Sequence, residues 1–501
     1  MRFLLLLGCY WILPALSAQD MVPPTLSWGP LLEQPKDASI AGILADNNRF
    51  LAWRKGRSSR KGNVVYLEKY DADGGLNLYR KLQMNPGESF RRLFTWNNRK
   101  MALFEARDHL RLIPIDGETL SPGSELLRIP KNRDQQWQHL ELDDSGGRLC
   151  LVMLENRGWQ RLVKLRLMVL DAAFSICWDE LTTLAYTYAE FYPENVMVSD
   201  AGDLFLAGYA QVGMERIVEE GKANFQFIIL AFTQHGTVQT EFQIGLRRKI
   251  VTDFHVSLNR EGNLIGVGFY SENRSAAAGG VFLTQIDPYR QTATGGRLHS
   301  LTRAGEMGRL RLGRKFEWNE LSNNQGEFLN FSIRNFLADS DGGGLLVAEQ
   351  VVLQQHYVSF RDGGNYKLVN YNYNDLLLVR LSPGGQVVWV RKIPKRQRTT
   401  NDKGRYSSIA AVPAAGEKYI IYNDNGRNFS RDSRLRDFNG LQSVIALTHL
   451  GENGQTESFP LAINEELGVL FQPSWTTSLG ADRKIIYGQR GRFFRFGILS
   501  F

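Results

Sequence analysis

Asp200-Ala201-Gly202-Asp203-Leu204-Phe205-Leu206 sets Asp and Gly residues directly against an apolar run. Asp side chains hydrogen-bond the backbone two residues on, and Gly takes the positive φ that closes a tight hairpin, so the stretch predicts a turn followed by a buried strand. The arrangement recurs. Ala45-Asp46-Asn47-Asn48 precedes Phe50-Leu51, Asn97-Asn98 precedes Met101-Ala102-Leu103, and Asp144-Ser145-Gly146-Gly147 precedes Leu149-Cys150-Leu151-Val152. Asn259-Arg260-Glu261-Gly262, Asp339-Ser340-Asp341-Gly342, Ala414-Ala415-Gly416 and Gly480-Ala481-Asp482 each stand before an apolar strand in the same way, which makes eight copies.

A second hairpin follows most copies. Tyr70-Asp71-Ala72-Asp73-Gly74-Gly75, His235-Gly236, Leu381-Ser382-Pro383-Gly384-Gly385 and Gly451-Glu452-Asn453-Gly454 each close an apolar strand with a Gly turn. Two hairpins make four strands. A four-stranded unit too thin to bury both faces must stack on its neighbours, and repetition at this spacing resembles the blades of a β-propeller. We therefore expect an all-β chain with a single β-propeller of about eight four-stranded blades over residues 19–501; seven is the alternative if the last unit is accessory. The C-terminal unit offers strands around Trp475-Thr476-Thr477, Lys484-Ile485-Ile486-Tyr487 and Phe493-Phe494-Arg495-Phe496. It is one strand short, and Thr25-Leu26-Ser27-Trp28 is predicted to supply the missing outer strand, leaving no open edge.

The N-terminus sets an expected compartment. Arg2 is followed by apolar runs at 3–7 and 10–13, and Ala15-Leu16-Ser17-Ala18 offers small residues for a signal peptidase. Residues 1–18 are thus expected to be a signal peptide and the protein to be exported to the periplasm, cell surface or medium. A lipid anchor on Cys9, after Leu6-Leu7-Gly8, is the alternative. The apolar run falls short of the roughly 20 residues that span a bilayer, and no transmembrane segment is expected elsewhere. With 43% hydrophobic and 22% charged residues in 501, the chain can bury a large core and is not a disordered polymer. Cys150 and Cys177 fall on the second and fourth strands of one unit, two spacings of about 4.8 Å apart, beyond the roughly 7 Å Cα separation of a disulfide. Two buried free thiols are expected.

Strands of a propeller blade run from the inside out, so the connections between second and third strands share one face with those between blades. Segments 54–63, 210–224, 271–279, 303–330, 356–374, 391–405 and 423–439 are long, and all are expected on that face. Across 54–63, 303–315, 391–405 and 427–437 basic residues outnumber acidic ones by 17, whereas the rest of the mature chain is about −10. Arg54, Lys55, Arg57, Arg314, Lys315, Lys395, Arg396, Arg398, Lys403 and Arg405 are the candidate binding cations. A positive face on an acidic body attracts an anionic partner over distance. The same charge also serves solubility alone.

Tyr366, Tyr371 and Tyr373 alternate with amides over 366–374, suited to stacking on sugars or proteins and equally to an extended hairpin. Asn423, Asp424 and Asn425 bring oxygen ligands together, but one carboxylate is too few for a calcium loop, and a turn is the stronger expectation. The turns at Asp144, Asp200 and Asp341 fit the Asp-box pattern of sialidases only in part. The seven histidines are dispersed without a paired spacing, and neither a G-x-S-x-G elbow nor a phosphate loop occurs. No metal, cofactor, catalytic residue or nucleic-acid partner is expected.

Gly385-Gln386-Val387-Val388-Trp389 resembles the glycine-to-tryptophan signature of quinoprotein propeller blades. Enzymes of that family repeat it around the ring and add a calcium-binding acidic set, and only one clean copy stands here. Together with Ile393-Pro394-Lys395 and the junction Ser17-Ala18-Gln19, the blade pattern resembles exported propeller proteins of Bacteroidetes-type bacteria. That resemblance is structural and brings no activity with it. The expectation is a non-enzymatic binding scaffold, a monomer or part of an envelope complex, whose basic loop face takes an anionic glycan or protein. A glycoside hydrolase or lyase with paired carboxylates in the central depression is the alternative.

Overall fold

The computed structural model describes residues 24–501, apart from 57–62, 144–146, 156–157, 212–217, 220–221, 224, 260, 273–276, 294–296, 302–329, 340, 360–364 and 431–433. It is an all-β ring of eight blades, each an antiparallel sheet whose strands run in chain order from inside to outside. Blade 1 begins at Ser39, blade 2 at Ser89, blade 3 at Gln135, blade 4 at Phe191, blade 5 at Ile250, blade 6 at Phe331 and blade 7 at Ile409. Blade 8 takes three strand positions from the C-terminus and its outer strand from Thr25–Trp28, which pairs antiparallel with Phe493–Ser500. Its innermost strand is split into Leu470–Phe471 and Thr477–Ser478 by a 3-10 turn at Pro473–Trp475, so the expected strand near Trp475 is partly a turn.

Closure is visible in the core. The described residues form eight apolar clusters, and each joins two successive blades, including blade 8 to blade 1 through Phe50, Tyr70, Tyr487 and Phe496. Among the described residues no blade has a core of its own, which is the physical reason for a ring. All eight predicted Asp/Asn/Gly turns connect first to second strands. Those of blades 1, 2 and 7 are two-residue turns, with Asp46 opposite Arg49, Trp96 opposite Arg99 and Ala414 opposite Glu417, whereas in blade 4 the Ser199 N–H donates to Asp203 O at 2.9 Å and the Gly202 N–H to Ser199 O at 2.8 Å, with Gly202 at φ +86°. Asp71, Asp171, Asn259, Asp339, Ser382 and Gly451 start turns of the same form.

The glycine-to-tryptophan stretch also has a structural meaning. The Trp389 ring lies on Gly454 in the outer turn of blade 7, where a Cβ would come within 2.8 Å, and its Nε1–H donates to Glu452 O at 2.7 Å. Trp178 repeats this between blades 3 and 4, lying on Gly236 and donating to Gly202 O at 2.8 Å. There Phe174, at φ +65°, holds the position that Gly385 holds in blade 6.

Two expectations need correction. The segment 356–374 is not a loop: blade 6 extends its second and third strands to Gly344–Ser359 and Asn365–Leu381, a hairpin arm that outruns the rest of the sheet. Both cysteines are free and stand on the second and fourth strands of blade 3, but only Cys150 is buried; Cys177 is half-buried and accepts a hydrogen bond from Arg148.

Candidate functional site

The connections between second and third strands and those between blades lie on one face, here the connector face. Several of the cations expected on it are instead built into the protein below its rim. Arg54 ends the inner part of blade 1 and is fully buried, its Nε 2.9 Å from Glu68 Oε1 and its Nη1 3.0 Å from Gln34 Oε1. Its guanidinium lies 3.8 Å from the Phe494 ring centroid. Burial penalises this charge, yet Glu68, with Tyr487 and Tyr70, holds its pKa above the ordinary arginine value. Arg54 thus fastens blade 1 to blade 8 rather than facing solvent.

Lys395 is fully buried as well. Its Nζ lies 2.6 Å from Glu349 Oε1 and 2.8 Å from Gln397 Oε1, and Glu349 also receives Arg334 and the Ser408 hydroxyl. Burial pulls the Lys395 pKa down, and Glu349 opposes the shift. The three oxygen-bearing residues after Tyr422 are likewise no loop: Asn423, Asp424 and Asn425 end the second strand of blade 7 and are buried. Asn423 donates to Tyr406 O and Phe471 O, each at 2.8 Å, Asp424 accepts from Asn428, and Asn425 caps the following 3-10 turn. Their polar atoms are therefore turned to internal partners. Among the described residues no group of three His, Cys, Asp or Glu side chains is placed to hold a metal ion.

The remaining expected residues divide as follows. Tyr371 and Tyr373 lie on the blade 6 arm and are half-buried; the Arg334 guanidinium sits 5.5 Å from the Tyr373 ring, against which the Gly404 backbone packs. Tyr366 pairs with Val358 in the arm. Arg57, Arg314 and Lys315 lie outside the described residues. Arg396 is half-buried. Lys55, Arg398, Lys403 and Arg405 are exposed, and so are Arg427, Arg434 and Arg436 in the connection of blade 7. None of these seven has a carboxylate within ion-pair distance among the described residues. Lys55 has its pKa lowered chiefly by partial burial and further by the Arg91 charge. Topology puts all seven on the connector face, on blades 1, 6 and 7 with blade 8 between.

Sequence inspection missed two carboxylates on the innermost strands, Glu194 in blade 4 and Asp253 in blade 5. Burial pushes the Asp253 pKa up to about 6, although its oxygens accept the Ile333 N–H at 2.6 Å and the Phe254 N–H at 2.8 Å. The Glu194 pKa is raised by burial and by the Asp253 charge. Glu194 is the extra residue of a β-bulge between Pro193 and Asn195, and the equivalent bulge occurs on the inner strands of blades 1, 2, 3, 5 and 6. A one-residue bulge leaves no mark in a short alternating strand, which is why neither acid stood out. On the opposite face a cavity of about 460 Å³ opens between the inner strands of blades 3 to 5, with Glu141, Asp200, Glu261, Asn195, His255 and Tyr289 in its wall. Burial lowers the His255 pKa there.

No family model matches the chain, and no curated protein matches it. Solved structures that resemble it include the WD40 domain of SCAP from fission yeast, 9% identical with a TM-score of 0.41 over 95% of this chain and 94% of that one. An oligogalacturonate lyase in complex with manganese is 10% identical, with a TM-score of 0.41 and 96% of each chain covered. A protein of unknown function from Bacteroides caccae is 10% identical, with a TM-score of 0.30 over 71% of this chain and 94% of that one.

Proposed function

We propose that this propeller is a non-enzymatic binding platform whose connector face, along blades 6, 7 and 1, takes an anionic glycan or an acidic protein. The supporting observation is the separation of its cations: Arg54 and Lys395 are buried against Glu68 and Glu349, while Lys55, Arg398, Lys403, Arg405, Arg427, Arg434 and Arg436 are exposed without a carboxylate partner among the described residues. Unneutralised charges on a rigid rim hold a partner by attraction that salt screens, with a Debye length of about 8 Å at physiological ionic strength. The setting is exported, on the composition of residues 1–18. Hydrolysis or elimination on a sugar needs carboxylates free to meet the substrate. Asp253 has both oxygens on main-chain N–H groups, which favours binding over catalysis.

The test compares the native chain with Arg398→Ser, Lys403→Ser and Arg405→Ser combined. Immobilised sulfated polysaccharide and poly-glutamate serve as two probes, at low and physiological salt. The platform requires binding of at least one probe that weakens about tenfold or more in the variant, or roughly 1.4 kcal/mol. Equal binding by both proteins at low salt would overturn it.

A further inference from the structure

One arrangement of charges occurs twice in the ring. In blade 6, Glu349 stands opposite Ser332 of the inner strand, and its Oε2 accepts from Arg334, the extra residue of the bulge, at 2.9 Å. Its Oε1 accepts at 2.6 Å from Lys395, the second residue after the outer strand. Four blades away, in blade 2, Glu105 stands opposite Ser89 and receives the bulge residue Arg91 at 2.6 Å. It lies 3.2 Å from Lys131, the first residue after that outer strand. A donor at the start of the next blade completes each set: the Trp137 N–H meets Glu105, and the Ser408 hydroxyl meets Glu349. Both carboxylates are buried, and each ties its blade to the following one.

The two sets differ in what hangs on them. Asn132-Arg133-Asp134 alone joins Lys131 to blade 3, whereas residues 396–408 follow Lys395 before blade 7 begins at Ile409. The longer connector holds Arg396, Arg398, Lys403 and Arg405 against the single acid Asp402, and all of it is described. Glu349 ties both of its ends, through Lys395 at the start and Ser408 at the finish. Gln397 joins those ends to each other: its Oε1 accepts from Lys395 Nζ at 2.8 Å and from the Ser408 N–H at 2.7 Å, while its Nε2 donates to Asn423 O at 2.8 Å. Between the ties, Gln397–Thr400 pairs with residues 370–373 of the arm. Asp402 Oδ1 accepts the Thr399 hydroxyl at 2.6 Å and the Gly404 N–H at 2.9 Å. Arg398, Lys403 and Arg405 stand exposed on this frame.

We propose that Glu349 is a positioning residue of the anion-binding face: by closing the connector at both ends it fixes Arg398, Lys403 and Arg405 as one preformed site. This role rests on the binding platform and names the part of it that is built in advance. Cations on a loose loop are ordered only at the moment of binding, which weakens affinity, and a loop already ordered by folding avoids that loss. The role has a sign that charge alone does not give. Glu349 is a negative charge beneath a positive face, so by Coulomb attraction its removal leaves anion binding equal or tighter. Positioning requires the opposite. In Glu349→Gln one oxygen becomes an NH2 group that meets the donors of Lys395, or those of Arg334 and Ser408, and one end of the connector is released.

Binding of the full chain to immobilised sulfated polysaccharide and to poly-glutamate at low salt, together with amide hydrogen exchange over 397–408, tests this. Glu349→Gln is expected to bind about tenfold more weakly, the size of one lost charge-assisted hydrogen bond, and to exchange faster over the connector. Glu105→Gln breaks the matching set in blade 2, where no such connector hangs, and is expected to bind and to exchange over 397–408 as the native chain does. Where Glu349→Gln fails to fold, Ser408→Ala removes one tie and no charge, and carries the test with an expected loss of about threefold. Unchanged exchange or unchanged binding in the variant that folds overturns the positioning role, as does an equal loss of binding in Glu105→Gln. A native chain that binds neither probe overturns the platform itself, and the site with it.

Discussion

Arg54 and Glu68 lie diagonally on neighbouring strands of blade 1, Arg54 opposite Tyr66 and Glu68 opposite Ala52, and the pair is enclosed by Tyr70, Tyr487 and Phe494. Removing one member of such a pair leaves an uncompensated charge in the interior. We expect Arg54→Met to cost about 3–5 kcal/mol, and Arg54→Met with Glu68→Leu to recover most of that loss, because an apolar pair needs no counter-charge. Urea unfolding of the two single variants and the double variant measures the coupling. A single-variant loss below about 1 kcal/mol, the range of surface pairs, contradicts the burial. The sequence concealed this role because Arg54 opens a run of cations that looks like solvated loop. The sign was on the other strand: Glu68 interrupts Val65-Val64-like apolar spacing at Tyr66-Leu67-Glu68-Lys69-Tyr70, and a carboxylate inside a strand that must be buried calls for a cation. Lys395 had no comparable signal, since Glu349 lies 46 residues away on another strand.

Elements were more legible than side-chain partners. A turn of Asp, Asn and Gly states its own backbone geometry, so each of the eight inner hairpins could be placed from local chemistry alone. The docking tryptophan was legible once, at Trp389, and hidden at Trp178, because Phe174 occupies there the positive-φ position that marks the motif. Phe174 trades backbone strain for contact: its ring meets Trp96 edge-on with centroids 4.5 Å apart. Phe174→Gly should relieve roughly 1 kcal/mol of left-handed strain while losing a similar amount of packing, for a net change within about 1 kcal/mol. Phe174→Val keeps the strain, loses the ring, and should be less stable than the Gly variant by about 1 kcal/mol or more. Thermal unfolding of the three proteins decides this; Val equal to Gly would show that the backbone at 174 carries no strain. The blade 6 arm was harder to foresee. Its strands run 16 and 17 residues against a usual five or six, and the alternation at 366–374 fits a platform loop as well as a strand.

At the scale of the molecule, the ring is held shut by the meeting of the chain's two ends. Thr25–Trp28 lies along Phe493–Ser500 with Thr25 opposite Ser500, and Trp28 packs on Gly497, where a Cβ would come within 2.9 Å of the indole. Every blade shares its core with the next, so opening this one seam exposes a strand edge and frees the faces of blade 8. A covalent closure tests how much the seam limits stability. The Gly29 N–H donates to Phe496 O, which by the alternation of an antiparallel pair makes Thr25 and Ser500 a hydrogen-bonded couple. Such couples have Cα atoms about 5.5 Å apart, within the range a disulfide spans. Thr25→Cys with Ser500→Cys therefore closes nearly the whole chain into one loop, and constraint of the unfolded state sets an upper gain of about 5 kcal/mol. The oxidised variant should unfold at a higher midpoint than its own reduced form, and reduction should return it to the native value. If oxidation formed the bond without raising the midpoint, unfolding would have to begin at another blade boundary, and the two ends would be ornaments of a ring closed by its cores alone.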